Sequence, residues 1–312
     1  MKTRNLFTAA ILLLTTFLAS CSKDDNALYG DEKSKTNFYI TDAPIDNTNV
    51  KGVIVTIADV KVNGVSVENF TKTTIDLMQY QNGLTKLLGS LDLRTGTYSN
   101  ISLVLDNTTS ASGNAPGSYV LMTNGSMKAL VSSANQIDIN NSFEIIASST
   151  NNIVLDFDIR KAIVSSGTDD FKFVTMTELS KSIRVVNEAK AGVIYGNASD
   201  AQNTSDKIIV YAYKKGTFNA AVETKKQGSG VTFANAVTST VVSNLSGGYK
   251  LNFLEKGNYE LHYASYTDSN NDGIFEFNGM LAVESIAGFD LKNITVESNL
   301  NFNVTVIIKG VL

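Results

Sequence analysis

Cysteine, histidine, tryptophan and proline are scarce in this 312-residue chain, which has one Cys, one His, no Trp and two Pro. With Cys21 alone, no intramolecular disulfide can form, so any fold must stand on core burial. With His262 alone, H-E-x-x-H and Cys-His sites are excluded, and a Ser-His-Asp triad would have this one residue to use, without a G-x-S-x-G elbow beside it. His262 alternates with Tyr259, Leu261 and Tyr263 and shares a face with Glu260, expected to be the solvent side. Neither a G-x-x-x-x-G-K-[ST] loop nor a G-x-G-x-x-G turn is present, which argues against a nucleotide. Without Trp, and with Tyr and Phe scattered, the usual platform for stacking sugars is missing. The expectation is a protein that is not an enzyme.

Positive charge is also in short supply. Residues 1–20 read as a secretory leader, with Lys2 and Arg4 ahead of an apolar run from Leu6 to Leu18, too short to span a bilayer comfortably. Removing the leader leaves 24 basic residues, 26 less Lys2 and Arg4, against 30 acidic ones. That balance argues against nucleic acid, whose binding displaces counterions with basic surface. Leu18-Ala19-Ser20-Cys21 resembles the bacterial lipobox, and the resemblance implies cleavage before Cys21, acylation of its sulfur and amine, and permanent attachment to a membrane. Ser22-Lys23-Asp24-Asp25 resembles the acidic export signal of Bacteroidetes lipoproteins, which implies the outer face of the outer membrane, with a periplasm-facing position as the alternative. Residues 21–36, with seven charges between Lys23 and Lys35, are expected to form a flexible tether reaching about 20 Å.

What is plentiful is Asn, Ser, Thr, Val and Ile, a strand-and-turn composition. Val53, Val55 and Ile57 share one strand face, and Ile101, Leu103 and Leu105 another. Leu84, Leu87, Leu88 and Leu91 follow helical spacing and predict one short helix in an otherwise all-strand region. Thr41-Asp42-Ala43-Pro44, the strand from Val53 to Val62, Ile75-Asp76-Leu77, Gly96-Thr97-Tyr98 and Leu155-Asp156-Phe157-Asp158 together resemble the DUF4382 family, over about residues 36–186. The resemblance implies a secreted or lipid-anchored bacterial protein and brings no activity with it.

Two groups of carboxylates stand out there. Asp42, before Ala43-Pro44, is placed to accept local N–H bonds in a strand-ending Asx turn, with a ligand role as the lesser reading. Asp156 and Asp158 share a strand face about 7 Å apart, able to ligate a hard cation or to act as an acid–base pair. Arg160 and Lys161 beside them favour ion pairing.

After a link at Glu188-Ala189-Lys190-Ala191 a second run of strands spans residues 190–312. The glycine-flanked strand Gly192 to Gly196, the Leu254-Glu255-Lys256-Gly257-Asn258-Tyr259 turn and the strand containing Val210-Tyr211-Ala212 resemble transthyretin-like, carboxypeptidase-regulatory-like modules. Within it lies Asp268-Ser269-Asn270-Asn271-Asp272-Gly273, a D-x-N-x-D-G run. Alternate oxygens of Asp268, Asn270 and Asp272, the Ile274 carbonyl and Glu276 form a candidate Ca²⁺ set, favoured over a plain hairpin turn. An EF-hand would place Glu where Gly279 stands.

The expected architecture is mostly β, with two antiparallel β-sandwich domains in tandem over residues 37–186 and 190–312. The expected function is a lipid-anchored, surface-exposed structural or interaction module. It would have an unknown protein or glycan partner, and no nucleic-acid or nucleotide ligand. The alternative is a carbohydrate-binding or carbohydrate-processing accessory using Asp156 and Asp158.

Overall fold

A computed structural model describes residues 29–43, 47, 49–147, 149–165 and 170–312. The chain is mostly β. In order it forms β1 (Tyr29–Ala43), β2 (Val50–Val62), β3 (Val65–Ser66), β4 (Thr73–Asp76), β5 (Lys86–Tyr98), β6 (Ile101–Leu105), β7 (Tyr119–Met122), β8 (Met127–Ala129), β9 (Gln136–Ile139), β10 (Phe143–Ile145) and β11 (Asn151–Asp158). There follow α1 (Ile159–Ala162), β12 (Ile163–Ser165), β13 (Phe171–Phe173), α2 (Met176–Lys181) and β14 (Ile183–Asn187). The second half holds β15 (Ala191–Ser199), β16 (Lys207–Lys214), α3 (Ala220–Glu223), β17 (Thr238–Val241), β18 (Gly248–Glu255), β19 (Gly257–Thr267), β20 (Glu276–Ser285), β21 (Ile294–Val296), β22 (Asn301–Asn303) and β23 (Val306–Val311).

Two sheets face each other in the first half. One runs β10-β5-β1-β11-β14, and the other runs β8-β7-β2-β6-β9 with β3 and β4 attached to β2. Phe38 and Ile40 of the first pack with Val53, Val55, Ile101 and Leu103 of the second in one core. Each of these side chains, fully buried, contributes about 1.5–3 kcal/mol relative to exposure. The sandwich is mixed rather than purely antiparallel, since β1 and β11 run parallel, with Phe38 opposite Ile153 and Asp42 opposite Phe157.

Regular structure starts earlier than the charge suggests, inside the stretch expected to be a tether. β1 begins at Tyr29, and Ser34, Thr36, Phe38 and Ile40 all face inward and are buried, while Lys33 and Lys35 face out. Charged residues on one face concealed a period-two strand whose inner face starts with small hydroxyl residues. Lys35 stands opposite Asp92 of β5, so the pairing also offsets charge.

The leucine helix is a strand. Leu84 and Leu87 are 62% and 52% exposed, whereas Leu88, Leu91 and Leu93 are buried within or beside β5. The cause is a bulge: Phe38 pairs Gly89 and the next residue, Tyr39, pairs Leu87, which leaves Leu88 as the extra residue. A bulge shifts the side-chain phase by one, so inward residues fall three apart across it and imitate a helical period.

In the second half one sheet runs β17-β16-β19-β20-β23-β15-β18, with β21 on β19 and β22 on β15. It curls so that β17 and β18 approach each other, and the Ser243 N–H donates to the Gly248 carbonyl to close the corner at 2.8 Å. Ile194, Val210, Leu251, Tyr263 and Val304 fill its inside. A smaller cluster of Tyr211, Tyr213, Phe233 and Tyr266 covers the outer face of β16 and β19. This corrects the expectation for Glu260 and His262. Their face lies beneath Phe218 and its loop rather than in solvent, and Glu260 is buried, with one oxygen accepting the Phe218 N–H at 2.8 Å. The loop from Lys215 to Val237, for which the sequence shows no strand period, is the lid over them.

Candidate functional site

The carboxylates singled out in the sequence converge on the seam between the two halves. β1 and β11 end level with each other, so Thr41 pairs Asp156 and Ala43 pairs Asp158. The next strand over places Arg184 of β14 directly across from Asp156. Asp156, Asp158 and Asp42 are all buried.

Asp158 caps α1 by accepting the Lys161 N–H at 3.3 Å. Its second oxygen lies 3.3 Å from Arg160 Nη2 and 3.4 Å from Lys161 Nζ. Burial alone would raise its pKa, but the charges of Arg160 and Lys161 outweigh that and hold it below the usual carboxylate range. Asp156 pairs with Arg184, so the expected neutralisation by Arg160 and Lys161 is met at Asp158 only. Among the described residues the partners of Asp42 are distant in sequence rather than local. Asp42 Oδ1 accepts the N–H of Ile159, 117 positions along the chain, at 3.1 Å, and Oδ2 accepts from Gln81 Nε2 at 3.3 Å. Long-range pairing of β1 with β11 carries it there. Burial, only partly offset by those two bonds, pushes the Asp42 pKa well up, and the nearby Asp158 and Asp156 charges add to the rise.

The three cations reach across the seam. Arg160 donates from Nη1 to the Thr232 carbonyl at 2.7 Å, from Nη2 to the Phe233 carbonyl at 3.3 Å and from Nε to Ser239 Oγ at 3.2 Å. Its guanidinium also lies over the Tyr211 ring, 5.1 Å from the centroid. Lys161 Nζ donates to the Ala236 carbonyl at 2.9 Å, and Arg184 Nη1 to the Phe253 carbonyl at 3.1 Å. Phe233 and Phe253 both have positive φ, 51° and 55°. That backbone costs a bulky residue about 1–3 kcal/mol and persists where surrounding contacts hold it, and here the carbonyls of both residues accept an arginine from the other half. Beside the seam, Glu178 accepts from the N–H groups of Thr175 and Ser229 and from both hydroxyls. Burial raises the Glu178 pKa, but these bonds outweigh it and bring it down to about 2.

A cavity of about 20 Å³ touches Asp42 and Asp156, room for about one water. Among the described residues the group therefore acts as an ionic joint, and the cavity beside Asp42 and Asp156 is too small for a substrate. Arg184 was missed from sequence, although a lone charge between Ile183 and Val185 on a short apolar strand was a signal for it. Lys161 was noted beside Arg160, but its reach to Ala236 was not legible.

Asp42→Asn keeps an acceptor for Ile159 and removes a carboxylate that burial disfavours. Because the folded pKa of Asp42 is raised, its burden is absent below about pH 4, the unfolded value, and grows as pH rises above it. The substitution should thus stabilise at pH 7, by on the order of 1 kcal/mol, with the gain vanishing at pH 4. Paired urea titrations at the two pH values check this.

The D-x-N-x-D-G loop lies at the other edge of the seam. Asp268 Oδ1 and Oδ2 accept the N–H groups of Asp272 and Gly273 at 3.0 and 2.9 Å, and Asp272 Oδ1 accepts that of Ile274 at 2.8 Å. Asn270 Oδ1 accepts the Asp272 N–H at 3.1 Å. Asn49 Nδ2 donates to the Asp272 carbonyl at 2.7 Å, and Asn47 bridges Ile274, so the loop also touches the first half. Glu276 opens β20 opposite Thr267. Among the described residues no three His, Cys, Asp or Glu side chains gather at a point that could hold a metal. Leu18, Ala19, Ser20, Cys21, Lys23, Asp24 and Asp25 lie outside the described residues, as does Pro44. Among the described residues no helix is long and apolar enough to cross a membrane.

Residues 33–174 carry a DUF4382 domain, a domain of unknown function. No curated protein matches the chain. Among solved structures it is similar to the TIE protein of Bacillus anthracis, at 14% identity over 88% of this chain and 34% of that one, with a TM-score of 0.19. It is also similar to the minor pilin GBS52 of Streptococcus agalactiae, at 13% identity over 89% and 97% of the two chains, TM-score 0.22. A third is BcpA, the major pilin subunit of Bacillus cereus, at 12% identity over 89% and 70%, TM-score 0.22. The chain spans only about a third of the TIE protein. At such TM-scores none of these likenesses bears on what the chain does.

Proposed function

We propose that the chain is a lipid-anchored protein of the cell envelope, held at Cys21 and exposed on the outer surface. In this reading its two folded halves serve as one rigid, non-catalytic module that presents loops to a protein or glycan partner. The ionic joint is the observation that carries it, because three cations, Arg160, Lys161 and Arg184, each paired with a buried aspartate, are spent on fixing one half against the other. Carbohydrate processing by Asp156 and Asp158 finds no support in a cavity the size of one water. Labelling cells that express the full chain with an alkyne palmitate tests the anchor. Wild type should take up label and sediment with membranes, and Cys21→Ala should do neither. An unlabelled wild type refutes the anchor, and a labelled protein that external protease cannot reach on intact cells refutes surface exposure.

The D-x-N-x-D-G loop enters this reading as a structural Ca²⁺ site, with Asp268, Asn270 and Asp272 supplying side-chain oxygens, Ile274 its carbonyl and Glu276 the closing carboxylate. Hard oxygens at alternate positions suit that ion, and the extracellular side supplies it at millimolar level. At about 2 mM Ca²⁺ and a Kd of about 0.1–1 mM, binding would add about 0.7–1.8 kcal/mol. Melting in calcium and then in excess chelator should show a midpoint that falls with chelator in wild type and is insensitive in Asp272→Ala. An unchanged wild-type midpoint removes the ion from the account.

A further inference from the structure

β19 and β20 pair from Ala264 with Met280 to Thr267 with Glu276, and then part. Leu281 to Ser285 of β20 turn to β23, and Gly257 to Tyr259 of β19 turn to β21. Paired strands stand only about 4.8 Å apart, so parting strands open the sheet. A cavity of about 640 Å³ occupies the split, inside the roughly 300–1,000 Å³ typical of small-molecule sites. Its walls include Leu261, Tyr263, Leu281, Phe218, Met280 and Phe289, apolar or aromatic side chains from both faces of the sheet.

An imidazole sits among those apolar walls. His262 stacks on Phe218 with ring centroids 3.7 Å apart, and its Nε2 faces Glu260 Oε2 at 3.4 Å. Nε2 makes no well-formed hydrogen bond there, but a lone pair aimed at a carboxylate is repelled, so the neutral ring carries its proton on Nε2 and leaves Nδ1 as a lone-pair acceptor. Burial, the largest influence, lowers the His262 pKa and keeps the ring neutral at pH 7. No donor among the described residues reaches Nδ1. The charges at the mouth select no ion: Glu284 pairs with Lys309 at 2.8 Å, and Lys292 and Asp290 offer opposite signs two residues apart.

We propose that this cleft binds a planar aromatic small molecule bearing a hydroxyl, with the ring held among Phe218, Tyr263 and Phe289 and the hydroxyl donating to Nδ1 of His262. Aromatic walls favour offset or edge-on ring packing beyond simple burial, and a neutral acceptor rewards a neutral donor. The reading goes beyond the anchored module and is independent of it.

Three probes on the full chain test the assignment by calorimetric titration: 2-naphthol, naphthalene and 2-naphthoate. The expected order places 2-naphthol up to about tenfold tighter than naphthalene, the worth of one net hydrogen bond, and 2-naphthoate weakest. His262→Phe should bring 2-naphthol down to the naphthalene level. Ala220→Trp, an exposed position at the mouth, should abolish binding of all three without touching the core. The proposal is overturned if no probe binds, if naphthalene equals 2-naphthol on wild type, if 2-naphthoate binds tightest, or if Ala220→Trp leaves the affinity unchanged.

Discussion

Asp158→Asn should lower stability by about 3–5 kcal/mol, the cost of leaving buried charge without its partner. Asparagine is as good a helix cap as aspartate, so the bond to the Lys161 N–H survives and the loss reports the charge alone. Arg160 and Lys161 would then lose the carboxylate they share, while Asp156 stays engaged with Arg184. Because the folded pKa of Asp158 is lowered, its contribution is present above about pH 4 and is lost as pH falls through the folded value. Wild type and variant should therefore converge in acid. Urea unfolding followed by tyrosine fluorescence is the measurement, and a loss under about 1 kcal/mol at pH 7 would show that the joint is ornamental. Asp42→Asn, a few ångströms away and chemically the same change, is expected to move stability in the opposite direction.

Gly196→Ala should cost about 3 kcal/mol, the upper end of ordinary overpacking, and should do so with no loss of any contact. A Cβ built on Gly196 lies 1.8 Å from the Val304 carbonyl oxygen and 2.5 Å from its carbon. Those are backbone atoms, so no rotamer change relieves the clash. They are there because β15 pairs β22 through Tyr195–Asn303 and β23 from Ala198–Val306, and the final chain crosses β15 between the two ladders. The Val304 N–H donates to the Tyr195 carbonyl at 2.8 Å and pins the crossing. A thermal midpoint within a degree or two of wild type would mean that the crossing yields freely.

How much of this was legible follows the range of the forces involved. The alternation at Ile101, Leu103 and Leu105 is local, and all three are buried as their spacing implied. The leucines after Gly83 misled because a bulge, set by pairing with β1, changes the period of an otherwise ordinary strand. The glycines of the Gly192–Gly196 strand were conspicuous in sequence, but their reason, a later segment of the same chain passing within van der Waals contact, depends on residues about 110 positions later. At the joint, the residue types were visible and the pairing was not. Asp158 and Arg160 are neighbours in sequence, whereas Asp156 with Arg184 and Asp42 with Ile159 meet only once β1, β11 and β14 stand side by side. His262 failed for the same reason, since a loop with no strand period of its own came back to cover it.

The parallel pairing of β1 with β11 has a mechanical consequence. β1 is paired with β5 from Tyr29 to Ile40 on one side and with β11 from Thr36 to Ala43 on the other, and its last residues reach the joint. Ladder hydrogen bonds run across the strands, perpendicular to them in the antiparallel pair and slanted in the parallel one. A pull on the chain at residue 29, directed along β1, would load both ladders in shear, with all the bonds sharing the strain at once, instead of peeling them one at a time. Under a pull between residue 29 and the far half, the first strand would then yield last.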